Sequence, residues 1–570
     1  MNLFDVLKDM TKEKYPWQKF YKKEERDITV PELSIYDYLL QNNELNLGSI
    51  AINYFNNKTT YRELFERINL CARALKSQGV REGDVVTICM ANTPEAVISF
   101  YAVNKIGAVA NMLHPLSAEE EIKFSLKSTK SVLLIAMDLC YDRIKNIIDD
   151  TKIYKTVIVS ASNSMPKVLS LGYYVTKGYK INSPNKSENY IYWHDFIERG
   201  KHYTDKVNVE KGKDDIAVIL HSGGTTGVPK NINLTNGNIN AVIEQAKIIF
   251  PNISVGDRFL SILPLFHCFG LVVCVHAPLC LGSTAILIPQ FDAKRFDKLL
   301  RKYQPTVIAG VPTLFEALLE NAYMDNVDMS YVNYVISGGD TLSVAKNEKV
   351  NEFLKEHNCN TTLMQGYGMT ETTGPVCFGS LGSDRLGSVG IPLPGNIIKI
   401  VEPTTGIEVA PLETGEICIT GPTIMTGYLN NIKETNNILR KHDDGKLWIH
   451  SGDLGYMNEE GVFFFVQRLK RMLIVSGYNV YPSYIEEVIM EHPLVANCGV
   501  IGIPHPYKVQ VPKAFIVLKE DVEVNSEIRR EIKEHCERKL AKYMIPKEFE
   551  FRNSLPKTMI GKINYKDLEK

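Results

Sequence analysis

The 570-residue sequence has almost no charge imbalance: 65 Lys and Arg stand against 66 Asp and Glu, a net charge of −1. That removes the electrostatic footprint of a nucleic-acid binder. Its 11 cysteines include no CxxC pair. This argues against a disulfide scaffold or a zinc ribbon and points to a reducing, cytoplasmic compartment. No period of 20–50 residues recurs, so a solenoid is out. The opening MNLFDVLKDMTKEKYPWQKFYKKEERD has no continuous apolar stretch and does not read as a signal peptide. Long uncharged runs are also scarce, with one exception. Residues 259–291 hold 33 positions without Asp, Glu, Lys or Arg, enough to cross a bilayer. Pro264, Gly270, Pro278, Gly282 and Pro289 interrupt the run, and such breakers would strand backbone polar groups in lipid. It reads as buried core, which leaves no transmembrane segment and at most peripheral membrane contact.

What is present is ordinary for a globular α/β chain: 44% apolar and 23% charged residues, enough for several cores. Leu64, Ile68, Cys71 and Leu75 recur at helical spacing, with Gly79 where a C-terminal cap would stand. Short apolar runs end in glycine-rich turns, IAVIL before HSGGTTG and YVNYVI before SGGD. That alternation predicts α/β architecture with buried, largely parallel sheets. Residues 160–201 are rich in Ser, Asn, Lys and Tyr and read as a surface excursion. The last fifty residues carry 22 charges, the mark of a small, solvent-rich C-terminal domain. Within it Ile528, Ile532, Cys536 and Leu540 fall every fourth residue, one helical stripe on which Cys536 is core. Cys268, Cys274 and Cys280 are read the same way.

The sharpest local signal is His221-Ser-Gly-Gly-Thr-Thr-Gly-Val-Pro-Lys230. Gly223, Gly224 and Gly227 let backbone N–H groups approach an anion, as in phosphate-binding nests. Ser222, Thr225 and Thr226 add hydroxyl donors, and Lys230 adds charge. The spacing is not that of a Walker A loop.

This loop resembles the phosphate loop of the adenylate-forming superfamily, which includes acyl-CoA synthetases, peptide-synthetase adenylation domains and luciferases. Other segments resemble that superfamily's motifs in the same order. They are Gln365-Gly-Tyr-Gly-Met-Thr-Glu371, His450-Ser-Gly-Asp453, Gln467-Arg-Leu-Lys470, Val475-Ser-Gly-Tyr-Asn-Val-Tyr-Pro482 and Leu555-Pro-Lys-Thr-Met-Ile-Gly-Lys562. Upstream, Thr60-Tyr-Arg-Glu-Leu64, Gly83-Asp84 and Gly107-Ala108 fit as well. Residues 452–488 are most similar to bacterial medium- and long-chain fatty-acyl-CoA synthetases.

The resemblance implies a large N-terminal domain, residues 1–469, of stacked α/β sheets plus a distorted β-barrel. A small mobile α+β lid, residues 470–570, would follow, hinged at Lys470. It further implies ATP, Mg²⁺ and coenzyme A. Ser222 to Lys230 would hold phosphates, and Glu371 would bind Mg²⁺. Gly339, Gln365, Gly366, Tyr367, Gly368 and Thr370 would frame the nucleotide, with Tyr367 stacked on adenine. Asp453 and Arg468 would meet the ribose. Lys562 would neutralise charge during adenylation, and a domain rotation would then bring Ser476, Gly477 and Tyr478 to the thiol entrance.

For the acid, Leu263-Pro-Leu-Phe-His-Cys-Phe-Gly270 contains no carboxylate to pair an α-ammonium. A buried ammonium without a counter-charge is costly, so a fatty or other hydrophobic acid is expected, with His267 beside its carboxylate. GEICITG at 415–421 also resembles a box of plant hydroxycinnamate-CoA ligases. Asn231, Asn236, Gln467, Arg471 and Tyr484 depart from the usual pattern without removing an assigned group. The expected reaction is acid to acyl-AMP to CoA thioester. The alternatives are delivery to an acyl-carrier protein, a stop at acyl-AMP, or a silent acyl- or nucleotide-binding homologue.

Overall fold

The computed structural model describes residues 15–182, 184, 189–222, 229–475, 478–505, 508–520, 522–557 and 562–570. Two large sheets dominate the N-terminal part. In the first, strands Ile216–Ser222, Val109–Leu113, Val85–Cys89, Leu133–Met137, Lys155–Val159 and Tyr190–Tyr192 run parallel. Lys230–Thr235 and Gly427–Tyr428 extend one edge antiparallel. The second has Leu363–Met369, Tyr334–Gly338, Val307–Gly310, Arg258–Ser261, Thr284–Leu287 and Ile50–Tyr54 in a parallel array, flanked by antiparallel strands. Nearly all of these strands are buried, which is why they read as continuous apolar runs.

Helix Tyr61–Ser77 shows how local sequence sets an element. Thr60 caps it by accepting from the Glu63 N–H, and Glu63 reaches back to the Thr60 N–H. Leu64, Ile68, Cys71 and Leu75 are all fully buried, each contributing roughly 2 kcal/mol for the larger side chains. Gly79 follows at φ +90°.

The charge-free run folds as strand Arg258–Ser261, a π-helix Phe269–His276 continuing into Ala277–Cys280, and strand Thr284–Leu287. Among the described residues no helix is long and apolar enough to cross a membrane. All 11 cysteines are buried and unbridged.

The expected surface excursion is partly corrected. Trp193–Lys201 is a helix whose Trp193 and Phe196 are buried. It presses on helix Tyr61–Ser77 so closely that a Cβ at Gly200 would meet the Leu70 carbonyl at 2.5 Å. The aromatic spacing carried that signal under a polar composition.

The unit implied as a distorted barrel is an antiparallel sheet that branches at the long strand Leu447–Met457. Gly415–Thr420 pairs along one side of that strand. On the other side Leu439–Lys441 takes its first half and Phe463–Arg468 its second. A bridge between Gly390 and Phe463 ties it to the edge of the nine-stranded sheet. The small C-terminal domain is a separate mixed sheet around the antiparallel pair Val495–His505 and Val509–Leu518, with Glu548–Phe551 added parallel, packed against helices Pro482–Met490 and Ser526–Lys539. Its own core includes Ile485, Ile489, Ile516, Ile532, Cys536 and Leu540.

Candidate active site

Several expected residues converge at the carboxyl ends of the parallel strands, where open α/β sheets place ligands. Strand Ile216–Ser222 delivers Ser222, whose register partner is Lys230 on the neighbouring strand. The two ends of the glycine loop are thereby fixed side by side. Gly223, Gly224, Thr225, Thr226 and Gly227 lie outside the described residues. Lys230 Nζ is 2.5 Å from a Glu434 carboxylate oxygen and 4.8 Å from the Tyr428 ring centroid. The Tyr428 hydroxyl donates to Glu371 at 2.8 Å. Burial and the Glu371 charge raise its pKa and keep it protonated.

Glu371 is buried in the short turn Thr370–Thr372 that ends strand Leu363–Met369. One carboxylate oxygen takes the Tyr428 bond, and the pair of oxygens suits a cation that prefers few carboxylates plus phosphate oxygens. Gln365 and Gly366 lie in register with Ser337 and Gly338, so that Gly339, at φ +82°, opens beside them. At Gly368 the chain bulges, and a Cβ would stand 1.8 Å from the Gly374 carbonyl. Only glycine fits.

Tyr367 has a connection its motif does not announce. Its hydroxyl donates to Asp453 Oδ2 at 2.7 Å, and its ring is nine-tenths buried. Asp453 is itself 2% exposed. Burial raises its pKa, opposed by Arg468, whose Nε stands 2.9 Å from Oδ1. That contact lacks hydrogen-bond geometry, leaving Oδ1 as a buried acceptor without a hydrogen-bond donor. A hydroxyl-bearing ligand fits there. Glu416 fixes the turn from behind: it accepts the Gly452 N–H at 3.0 Å and the His450 ring at 2.8 Å.

Asn92 binds the segment expected to face the acid by holding the Leu263 carbonyl and the Leu265 N–H. Gly270 folds onto it, its absent Cβ 2.1 Å from the Pro264 carbonyl. His267 is desolvated, which lowers its pKa to about 4, with the Lys562 charge adding to the shift. It is a neutral imidazole near pH 7. The charge of Lys562, carried by the C-terminal domain, thus reaches this site. Burial lowers its pKa, Asp340 and Asp453 oppose that, and Arg468 adds to it. Ser476 and Gly477 lie outside the described residues. Tyr478 begins strand Tyr478–Val480 as the register partner of Val475.

Sequence reasoning missed Tyr428, Glu434 and Asp340. Asp340 directly follows Gly339 and could have been found as the acid of SGGD. Tyr428 and Glu434 carried no local signal.

Residues 41–429 match the AMP-binding enzyme family, and residues 484–562 match the AMP-binding enzyme C-terminal domain. The chain belongs to the AMP-binding enzyme family. This AMP-binding enzyme is 31% identical over 555 residues to a long-chain-fatty-acid–CoA ligase of Bacillus subtilis, covering 96% of each chain. With a long-chain-fatty-acid–CoA ligase of Haemophilus influenzae it shares 32% over 528 residues, 91% of this chain and 90% of that one. Among solved structures it resembles the anthranilate CoA ligase AuaEII in complex with anthranoyl-AMP. The TM-score there is 0.81 at 25% identity, over 95% of this chain and 97% of that one.

Proposed function

We propose that the protein converts a fatty acid to its acyl-AMP at the expense of ATP, then to the coenzyme A thioester. It is an AMP-forming acid–thiol ligase. The observation that carries the reading is the buried Asp453 carboxylate, held by Tyr367 at 2.7 Å and Arg468 at 2.9 Å with Oδ1 left as an open acceptor, in a field to which Lys562 of the small domain adds its charge. That sets positive charge where an acid and a nucleotide would react.

A carboxylate oxygen attacks the α-phosphorus of ATP and pyrophosphate leaves. Both partners are anions, so the site must neutralise and align them. Lys230 exchanges Glu434 for the β- and γ-phosphates. Glu371, with phosphate oxygens, would hold Mg²⁺, which when bound neutralises triphosphate charge. Asp453 Oδ1 accepts from the ribose, with Arg468 beside it and Tyr367 fixing the carboxylate. His267, neutral at working pH, donates an N–H to the substrate carboxylate without protonating it. Lys562 balances charge as it develops. The thiol of coenzyme A then attacks the acyl carbon and AMP leaves. Lys470 is the hinge between a domain of residues 1–469 and one of residues 470–570, which withdraws Lys562 for this second step. The unbridged, buried thiols suit a reducing, cytoplasmic setting.

The apolar helix Phe269–His276 behind His267, with no acid in residues 263–270, supports an aliphatic chain over an amino acid. The test is a panel of carboxylates scored for pyrophosphate release with and without coenzyme A, holo-carrier protein being the second acceptor. Saturated acids should be consumed with thioester formation on free coenzyme A. Faster turnover of any amino acid than of a saturated fatty acid would overturn the reading.

A further inference from the structure

Helix Lys167–Thr176 is built the wrong way round for a soluble surface: it has no buried residue. Val168, Leu171 and Val175 lie along one stripe at helical spacing and are 83%, 66% and 62% exposed. Tyr174 beside them and Tyr179 just beyond are 63% and 60% exposed. Tyr173, on the opposite side, is the residue that packs against the core. Apolar side chains exposed together in this way mark an interaction surface.

The surroundings state what covers it. From Thr151 to Ser187 the sequence has six lysines and no acidic residue. Lys167, Lys177 and Lys180 are exposed at the rim of the stripe. The nearby carboxylate of Asp142 is already occupied by Lys145 at 2.5 Å and Asn182 at 2.9 Å. An apolar stripe with interfacial tyrosines and a lysine rim matches an anionic bilayer: acyl chains below, phosphate headgroups around.

The base of this helix is rigid. The Ser164 hydroxyl donates to the buried Glu95 at 2.5 Å and accepts from Arg67 at 2.9 Å. Asn57 and Tyr54 hold the Ser164 and Ala161 carbonyls. Glu95 stands three residues from Asn92, which holds the Leu263 to Leu265 segment beside His267. The exposed helix and the acid-side wall of the site are thus fastened to one short stretch of chain.

We propose that helix Lys167–Thr176 is a membrane-docking element that seats the enzyme on anionic lipid. That docking supplies acid directly from the bilayer rests on the fatty-acid reading above; the docking itself does not.

The test is flotation of the full-length protein, without substrate, on vesicles of phosphatidylcholine alone and of 7:3 phosphatidylcholine:phosphatidylglycerol. The wild type should float with the anionic vesicles and be released by high salt. Val168→Ser, Leu171→Ser and Val175→Ser together should weaken partitioning by at least about tenfold, and Lys167→Gln, Lys177→Gln and Lys180→Gln should abolish the preference for phosphatidylglycerol. Turnover of dissolved hexanoate by both variants should equal that of the wild type. Absence of wild-type flotation, or flotation undiminished in the serine variant, would overturn the proposal. So would a wild-type dimer that the serine variant converts to monomer, because a second copy would then be the cover. Loss of turnover on every acid with flotation intact would instead refute the fatty-acid reading alone.

Discussion

The guanidinium of Arg471 lies 3.7 Å from the centroid of the Tyr565 ring and 2.6 Å from a Glu486 oxygen. Arg471 follows Lys470, the proposed hinge, and Tyr565 comes three residues after Lys562. Glu486 also accepts the Val500 N–H at 2.7 Å. The residue beside the proposed hinge therefore fastens the segment that carries Lys562, the proposed catalytic lysine. Arg471→Ala should leave Glu486 buried without its cation and destabilise the C-terminal domain by about 3 kcal/mol. Denaturant titration with a C-terminal probe measures this. Arg471→Lys should recover part of the stability but not the ring contact, and pyrophosphate release should stay below wild type.

Glu371→Gln keeps an acceptor for Tyr428 and removes the charge. Thermal stability should stay near wild type, while acyl-AMP formation falls by about 10²-fold or more. Pyrophosphate release across a magnesium titration is the measurement. Unchanged release at limiting magnesium would remove Glu371 from the cation site.

Lys562→Ala and Lys470→Pro should separate the half-reactions. Loss of Lys562 cripples acyl-AMP formation from acid and ATP but spares thioester formation from supplied acyl-AMP. Proline at 470 fixes φ near −65°, so adenylation persists while thiol transfer stalls. Single-turnover chemistry from each starting point decides it, and equal losses in Lys562→Ala would refute the domain motion.

His276 is fully buried and shares a 2.8 Å hydrogen bond with Tyr101. Burial lowers its pKa from 6.5 to about 3. Between those values the unfolded chain binds a proton that the folded one refuses, so this group favours folding progressively more as pH rises to 6.5. His276→Gln removes that dependence. The stability difference between wild type and variant should shift against the wild type by about 1.4 kcal/mol per pH unit below 6.5. Paired thermal melts from pH 7.5 to 4.5 test it, and a pH-independent difference would show His276 to be charged in the fold.

Gly270→Ala should abolish acyl-AMP formation, since the new methyl would overlap the Pro264 carbonyl and push the His267 segment aside. A variant with normal KM for the fatty acid would contradict that segment's role.

The parts legible in the sequence are those written in short stretches. The Leu64 to Leu75 stripe and the Ile528 to Leu540 stripe each declare themselves within about three to four turns of one helix. Ser222 and Lys230 were legible because the loop between them has its own chemistry. Tyr367 and Asp453 are 86 positions apart, and Lys230 and Glu434 are 204. Such pairings follow from strand order and register, which no local spacing encodes. Helix Lys167–Thr176 was hidden for another reason: its apolar face points outward, so neither composition nor the expectation of a buried stripe marked it.

The buried thiols make the molecule its own stopwatch. A reagent that reads sulfur at the surface finds none of the 11 within reach in the folded state, so each label records an opening. Cys498 and Cys536 sit in the C-terminal core and the other nine in the large domain. Mapping which sulfurs react first, under conditions where reclosing is fast, would report the local opening free energy of the two halves separately. The order of labelling then ranks the parts of the enzyme by local stability.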